Sequence, residues 1–186
     1  MKFYNENNSN LIKISGIERE SIVDGPGIRY VIFTQGCPHH CEGCHNPQTH
    51  DYEGGKYVNM DDLLEEIEAN PLLKGITLSG GEPFLQAKKL SKFIDKVKSK
   101  KSDLDIICYT GYEFENLISN STDKNGFSDL ISKTDVLIDG KFDKNKTKED
   151  LMFRGSYNQR AIDIKNTFDQ GKIVEKDFNA IDEFKF

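Results

Sequence analysis

Apolar, β-rich runs alternate with amphipathic stretches along most of the chain. A near-continuous apolar run of four to eight residues is typical of a strand that is buried on both faces. Runs of this kind occur in LIKISGI (11–17), YVIFTQG (30–36), GITLSGGEPF (75–84), LDIICYTGY (104–112), DVLIDGKF (135–142) and RAIDI (160–164). The pattern therefore predicts six strands, several of which run directly into glycine-containing loops.

Helical spacing of apolar residues appears between these strands. The stretch 85–101 carries apolar positions three and four residues apart, at Leu85, Leu90, Phe93, Ile94 and Val97. Further helices are predicted in 59–71, 114–119 and 127–133. In the first of these, Asn59 or Asp61 is expected to cap the N-terminus, and Pro71 lies just past the end.

The repeated order of strand, loop and helix predicts an α/β protein with a parallel sheet. In such sheets, ligands bind at the carboxyl ends of the strands. The four most unusual loop sequences each follow an apolar strand: CPHHCEGC, SGGEP, YTGY and DGKF. We therefore expect these loops to converge on one edge of the sheet and to form the functional site.

Length and charge limit the class of protein. The 186 residues suffice for one domain with a sizeable core, and the net charge of −6 does not favour nucleic acid as a partner. The polar start MKFYNENNSN lacks the apolar core of a signal peptide, and no apolar run approaches the roughly 20 residues of a membrane span. These features predict a cytoplasmic protein without membrane association.

Three of the four cysteines are clustered in a C-x3-C-x2-C arrangement at Cys37, Cys41 and Cys44. In a reducing compartment such a cluster indicates metal binding or catalysis rather than a disulfide framework. One interpretation is a zinc site completed by a nearby histidine, which would be His39, His40 or His45. The weaker interpretation is a redox pair within CEGC.

The third interpretation is a [4Fe–4S] cluster held by three thiolates. Protein clusters of this kind normally take four cysteine ligands, so three ligands would leave one iron open. An open metal position is typical of catalytic sites, and a molecule with an amine and a carboxylate could chelate it. The spacing alone leaves zinc and the iron–sulfur cluster both possible.

Together, the C-x3-C-x2-C motif and the downstream GGE resemble the radical S-adenosylmethionine superfamily. The resemblance implies that S-adenosylmethionine chelates the open iron, and that one electron from the reduced cluster cleaves its sulfonium. The resulting 5′-deoxyadenosyl radical abstracts a hydrogen atom from the substrate. The cofactors carry this chemistry, whereas the protein positions and shields them.

A narrower resemblance covers residues 11–165. DGPGIRYVIFTQGCPHHCEGCHNP is similar to a segment of the glycyl-radical-enzyme activases. LSGGEPF, YTGY, VLIDGKF and FRGSYNQR follow in the order found in activases of the anaerobic ribonucleoside-triphosphate reductase. The resemblance implies that reductase as the protein substrate and a reduced flavodoxin- or ferredoxin-like electron donor. Activation of pyruvate formate-lyase is the enzymatic alternative, and a Cys3His zinc-stabilised binding module is the non-enzymatic one.

The same resemblance implies the fold and the cluster ligands. It implies a single radical S-adenosylmethionine domain over residues 1–186, built as an incomplete (βα) barrel. A chain of this length cannot supply the eight βα units of a full barrel, which need about 250 residues. Cys37, Cys41 and Cys44 would ligate the cluster. Residues 1–10 are expected to be frayed, and the role of residues 165–186 is left open.

The contacts to S-adenosylmethionine are also assigned by resemblance. Gly80, Gly81 and Glu82 would meet its amino group, with Glu82 acting as a negative partner or fixing the loop. Asp139 and Lys141 would hold its methionine moiety, and Lys141 would face the carboxylate.

Arg154 has two interpretations. Its fork of donors suits a functional contact, to a carboxylate or to a partner's backbone. A surface salt bridge is equally compatible with the sequence. The roles of Arg29, Tyr109 and Thr110 are left open.

The chain departs from the superfamily pattern at Gly43, where an aromatic residue often precedes the third cysteine. We therefore expect the adenine contacts to come from Gly43, Cys44 and His45, while His39 and His40 shape or shield the loop. Cys108 is interpreted as a core residue of a strand, because free cysteines are commonly buried.

Overall fold

The computed structural model describes residues 9–178, which form a mixed α/β fold around one seven-stranded sheet. The strands are β1 (Leu11–Ser21), β2 (Arg29–Thr34), β3 (Lys56–Asn59), β4 (Gly75–Gly80), β5 (Asp105–Tyr109), β6 (Val136–Asp139) and β7 (Arg160–Asp163). The helices are α1 (Met60–Ala69), α2 (Ala87–Lys100), α3 (Phe114–Ser119), α4 (Phe127–Ser132) and α5 (Ile164–Gln170).

The sheet has the strand order β3-β1-β2-β4-β5-β6-β7. Its central strands β2, β4, β5 and β6 are parallel, and their carboxyl ends lie at the same edge. The predicted parallel sheet is correct for this centre. It is wrong for β1 and β7, which pair antiparallel with their neighbours, as does β3, for which no strand was predicted.

The connections explain the antiparallel strands. A parallel crossover needs about a dozen residues or more, usually including a helix. Residues 22–28 between β1 and β2 are too few for one, and residues 140–159 between β6 and β7 contain a single 3-10 turn and no α-helix. The first connection is thus too short for a crossover and the second lacks a crossover helix, and both strands pair antiparallel with the strand before them.

Two local predictions are also corrected. Strand β3 was missed because its sequence KYVN is short and mostly polar, and its residues are exposed or only half-buried. The helix predicted over 85–101 begins only at Ala87. Pro83–Gln86 form a 3-10 turn, which leaves Leu85 44% exposed, whereas Leu90, Phe93, Ile94 and Val97 are buried as the spacing predicted.

Alternation along the strands divides the core between the two faces of the sheet. In β5, Ile106 and Cys108 pack with the helices in the main core, whereas Ile107 belongs to a second, smaller cluster. Cys108 is fully buried, as predicted. The smaller cluster also contains Phe178, whose ring lies 5.1 Å from that of Phe153.

The segment after β7 thus packs onto the domain as far as it is described. Helix α5 follows β7 directly, and Glu175 forms an isolated antiparallel bridge with Ile162. At the other end of the chain, the expected fraying concerns mainly residues 1–8, which lie outside the described residues. Asn10 is hydrogen-bonded to Asn59 and Asp61. Between residues 9 and 178 there is no helix with the length and apolar character that crossing a membrane would require.

Candidate functional site

The four predicted rim loops do converge, and they surround a cavity of about 380 Å3 at the carboxyl edge of the central strands. Residues that follow β2, β4, β5 and β6 all line it. Of the predicted site residues, those in the wall of this cavity are Cys37, Cys41, Cys44, His45, Gly80, Gly81 and Arg154. The predicted convergence of these four loops on one edge of the sheet is therefore confirmed.

All three clustered cysteines are free thiols that face the cavity from the loop after β2. Burial raises the pKa of Cys37, with the nearby Glu82 charge adding to the effect and the backbone N–H groups of His39 and His40 opposing it. Burial likewise raises the pKa of Cys41, and a hydrogen bond from the backbone N–H of Phe142 partly opposes this increase. Ligation of a metal by these thiols therefore requires their protons to leave.

The loop after β6 supports the cysteine loop from one side. The ring of His45 lies 4.8 Å from that of Phe142, and Glu42 forms an ion pair with Lys144. Gly43 has a left-handed backbone with φ of +74°, which explains a glycine at this position, but it does not line the cavity. Cys44 and His45 do line it.

The glycine turn after β4 lies directly against the end of β2. A side chain at Gly81 would place Cβ 2.3 Å from the carbonyl oxygen of Gly36, and one at Gly80 would place it 2.6 Å from Cα of Phe33. The Gly81 N–H donates to Thr34, and the Glu82 N–H donates to Gly36. The two glycines are thus required by close backbone approach, and this approach brings the turn beside the cysteine loop.

Glu82 does not line the cavity, because its side chain is fully buried behind the turn. Its carboxylate accepts hydrogen bonds from the backbone N–H groups of Phe84 and Gly111, from the Thr110 hydroxyl and from His39. Of the two roles predicted for Glu82, the contacts favour fixing of the loop. They also give Thr110 a structural role.

Asp139 and Lys141 lie at an adjoining cavity of about 730 Å3, which shares His39, Gly111 and Gly140 with the first. Asp139 is buried and accepts hydrogen bonds from the N–H of Phe114 and from Arg160. Lys141 is exposed. The assignment of this pair to the methionine moiety stays a prediction.

Arg154 lines the cysteine cavity and donates a hydrogen bond to the carbonyl of Gln159. Gln159 in turn accepts from the N–H groups of Gly155 and Ser156 and donates to Gly140. The RGSYNQR segment is thus a folded loop that holds its arginine at the cavity wall. The Tyr109 hydroxyl donates to the carbonyl of Phe153, which ties this loop to β5.

Several residues of the wall were not assigned from the sequence. Val23 and Asp24 reach it from the connection between β1 and β2, and Phe142 and Phe153 add aromatic surface. The quoted motifs contain Asp24, Phe142 and Phe153, whereas Val23 lies just before the first of them. Which of these side chains face the cavity depends on contacts between distant loops, which the sequence does not show.

The donor set fits an iron–sulfur cluster, because three cysteine thiols face one cavity and soft thiolate ligands select such clusters. Among residues 9–178, no group of three or more His, Cys, Asp or Glu side chains is placed to hold a single metal ion. The three histidines that the sequence offered as zinc ligands each contact another side chain. His39 is bonded to Glu82, the ring of His40 packs on His50, and the ring of His45 packs on Phe142.

Comparison with known proteins gives a consistent result. Residues 23–162 match the family described as a 4Fe-4S single cluster domain. The chain is 35% identical over 142 residues to the anaerobic ribonucleoside-triphosphate reductase-activating protein of Enterobacteria phage T4, covering 74% of this chain and 85% of that protein. It is 36% identical over 146 residues to the protein of the same name from Haemophilus influenzae, covering 74% and 89%.

A second kind of relative is the pyruvate formate-lyase-activating enzyme of Clostridium pasteurianum. It is 35% identical over 131 residues, which cover 68% of this chain and 50% of that enzyme. Both kinds of relative activate an enzyme that their names specify.

Proposed function

The chain belongs to the family of anaerobic ribonucleoside-triphosphate reductase-activating proteins, and from this premise we propose that it generates the glycyl radical of such a reductase. It is a radical S-adenosylmethionine enzyme that uses a [4Fe–4S] cluster and S-adenosylmethionine. The protein substrate is proposed from the names of the relatives.

One observation carries the proposal most directly. Three free cysteines and a glycine turn from the next strand line the same cavity at the carboxyl edge of the parallel strands. We infer that Cys37, Cys41 and Cys44 hold the cluster and that Gly80 and Gly81 give room for the methionine end of S-adenosylmethionine. A reduced cluster bound by these cysteines would supply the electron for reductive cleavage of S-adenosylmethionine, and this chemistry would provide the oxidising power to remove the glycine hydrogen of the reductase.

The chain's own residues bind, orient and shield these groups. We propose that the segment from Gly43 to His45 contacts the adenine, supported by the position of the His45 ring against Phe142 in the cavity wall. Arg154 offers a charged donor from the opposite loop. Glu82 contributes by fixing the turn, since its carboxylate is fully buried.

We retain Asp139 and Lys141 as proposed holders of the methionine moiety, acting from the adjoining cavity. This proposal is supported by the shared wall of the two cavities at Gly140, which lies between the two residues in the chain. Because Asp139 is already bonded to Arg160, its contribution would be to fix the loop that carries Lys141.

The broader proposals follow from the same premise. We propose one radical S-adenosylmethionine domain over residues 1–186 whose sheet curves as an incomplete (βα) barrel, which four parallel central strands support. We also propose a reduced flavodoxin- or ferredoxin-like electron donor and a cytoplasmic location, where reducing conditions keep thiols available for a cluster.

The test of the protein substrate is a comparison of two glycyl radical enzymes. The reduced, cluster-loaded protein is mixed anaerobically with S-adenosylmethionine and either an anaerobic ribonucleoside-triphosphate reductase or a pyruvate formate-lyase. Electron paramagnetic resonance then measures the glycyl radical on each. We expect the signal on the reductase, and a signal on the formate-lyase alone would contradict the proposed substrate.

Pyruvate formate-lyase remains the second candidate because an activase of that enzyme is 35% identical to the chain. The match covers half of that relative, whereas it covers 85% and 89% of the two reductase-activating proteins. The more complete match favours the reductase.

A further inference from the structure

We propose that His39 is a positioning residue that locks the cysteine loop onto the two neighbouring rim loops and so fixes the geometry in which the cluster is bound. The inference rests on the proposed function for its consequence in catalysis. Its structural part concerns the chain without any cofactor. It assigns different roles to two adjacent histidines of the C-x3-C segment.

The first contact joins the cysteine loop to the glycine turn after β4. Nε2 of His39 lies 2.6 Å from Oε2 of Glu82, and the two side chains are 6% and 0% exposed. Because a carboxylate only accepts hydrogen bonds, Nε2 of His39 is the donor. A hydrogen bond to a charged group is stronger than a neutral one, and a buried one is shielded from water.

The second contact extends the link to the loop after β5. Glu82 also accepts from the Thr110 hydroxyl at 2.9 Å and from the N–H of Gly111 at 3.0 Å. The Thr110 hydroxyl in turn accepts from the N–H of Tyr112. One carboxylate therefore holds the cysteine loop and the TGY loop together, and His39 is the residue that attaches the cysteines to it.

The TGY loop is also shaped around the imidazole ring. The ring of Tyr112 meets that of His39 edge-on, at a centroid distance of 4.5 Å and an interplanar angle of 75°. A side chain at Gly111 would place Cβ 2.4 Å from Cδ2 of His39. Glycine at this position therefore leaves the space that the histidine fills, and the ring is held on both its polar and its apolar sides.

His40 provides a matched contrast. It lies next to His39, but its ring packs on His50 at a centroid distance of 4.8 Å, and its backbone has a φ of +47°. Asparagine, like histidine, is among the residues enriched in this left-handed conformation, so the substitution does not strain the backbone there. The same substitution, histidine to asparagine, can therefore be made at both positions.

The two substitutions should differ in their effect on the cysteine loop. Asparagine at position 39 is too short to place its amide where Nε2 of His39 donates, whereas the longer glutamine can present an amide donor there. His39→Asn should release the loop and leave the buried carboxylate short of one partner. His39→Gln should restore the link, and His40→Asn should leave it intact.

The direct test measures thiol alkylation in the cluster-free chain. Iodoacetamide labelling followed by peptide mapping reports each cysteine separately, and Cys37 is only 8% exposed in the locked loop. We expect His39→Asn to raise the labelling rate of Cys37 at least about tenfold, which corresponds to the lower end of the usual loss for one hydrogen bond to a charged group. His39→Gln and His40→Asn should stay near the wild-type rate.

Cys108 is the internal control, because it is fully buried in β5 and reacts only when the domain unfolds. If His39→Asn raises the labelling rate of Cys108 as much as that of Cys37, the substitution destabilises the whole domain and the proposal fails. Gly111→Ala provides an independent variant that keeps His39 but displaces its ring. Gly111→Ala should raise the labelling rate of Cys37 as His39→Asn does, and an unchanged labelling rate would count against the proposal.

The cluster-loaded protein tests the consequence for catalysis. His39→Asn should still bind iron, but its apparent KM for S-adenosylmethionine should rise about 10- to 100-fold, with recovery in His39→Gln. Equal KM values in His39→Asn and His40→Asn would overturn the positioning role. If His39→Asn labels faster at Cys37 as expected but no form of the protein cleaves S-adenosylmethionine, the proposed function is wrong and the structural role of His39 is still supported.

Discussion

Arg29 is the largest charged side chain in the interior of the described domain, and its contacts explain the arginine of the DGPGIR motif. It is fully buried and donates from Nε to the Thr77 hydroxyl at 2.7 Å and from Nη2 to the Ile76 carbonyl at 2.8 Å. It also forms an ion pair with Asp105 at 2.6 Å. Arg29 thus joins three adjacent parallel strands at the edge opposite the cysteines.

Replacement of Arg29 by methionine should destabilise the protein by about 3 kcal/mol, because buried acceptors lose their donor and the ion pair is broken. The measurement is urea-induced unfolding of the cluster-free protein. Arg19→Met is the control, since Arg19 pairs with Glu66 at the surface and its side chain is 62% exposed. An Arg29→Met variant as stable as Arg19→Met would contradict the structural role.

Glu115 gives a prediction for the pH dependence of stability. Hydrogen bonds from Arg160 lower the pKa of Glu115 below its ordinary value of 4.5, and burial raises this pKa by a smaller amount. A carboxyl whose pKa is lower in the folded state stabilises the fold above its unfolded pKa and loses this contribution as the pH falls through the folded value. Glu115→Gln should therefore reduce stability at pH 6 and much less at pH 3.5.

Unfolding in urea at both pH values measures this difference between the variant and the wild type. The Glu115 side chain is 56% exposed, so solvent screening keeps the effect small. A difference that grew as the pH fell would show that the carboxylate of Glu115 does not stabilise the folded state.

At the scale of single elements, helix α1 shows how local sequence determines a boundary. Asn59 occupies the N-cap in an extended conformation, and its side-chain oxygen accepts from the N–H of Asp61. Of the two predicted caps, Asn59 is therefore confirmed. Its side chain also accepts from Asn10, so this cap links the helix to the segment before β1.

Asn59→Ala should destabilise the protein by about 1 kcal/mol, the usual cost of losing an N-cap. Thermal unfolding followed by circular dichroism measures the effect. Ser99→Ala is the control, because Ser99 lies in the last turn of α2 and its exposed hydroxyl, among residues 9–178, donates only to the carbonyl of Lys96. Equal melting temperatures for the two variants would argue against the cap.

Elements also differ in how far the sequence predicts them. The apolar runs identified the four central strands, because burial on both faces leaves a continuous hydrophobic pattern. The same pattern does not encode pairing direction, so β1 and β7 were expected in a parallel sheet. Strand β3 carries almost no apolar signal, since it lies at an edge of the sheet and depends on pairing with β1.

The candidate site follows the same division. The motif loops were placed correctly at one edge, because their positions after strands follow from chain order. The link between His39 and Glu82 spans 43 positions and has no periodic signature, so it required the three-dimensional structure. The burial of Glu82 and the position of Asp139 beside Arg160 were missed for the same reason.

At the scale of the whole molecule, the sheet brings four loops from distant parts of the chain to one edge. The helices pack on one face of this sheet. The edge holds the cysteines, the glycine turn and the RGSYNQR loop around one cavity. The other described cysteine, Cys108, is in the core on the helix side of the sheet. The cysteines thus divide into three that line the cavity, which we propose as the cluster ligands, and one that packs in the core.

This division allows the most direct test of the account. The chain and its Cys41→Ala and Cys108→Ala variants are reconstituted anaerobically with iron and sulfide, reduced, and incubated with S-adenosylmethionine, and iron and the products are quantified. We predict about four irons per wild-type chain and equal amounts of methionine and 5′-deoxyadenosine. Cys108→Ala should retain this cleavage, and Cys41→Ala should stay folded and lose it. A colourless wild-type protein with one tightly bound zinc and no cleavage would contradict the account.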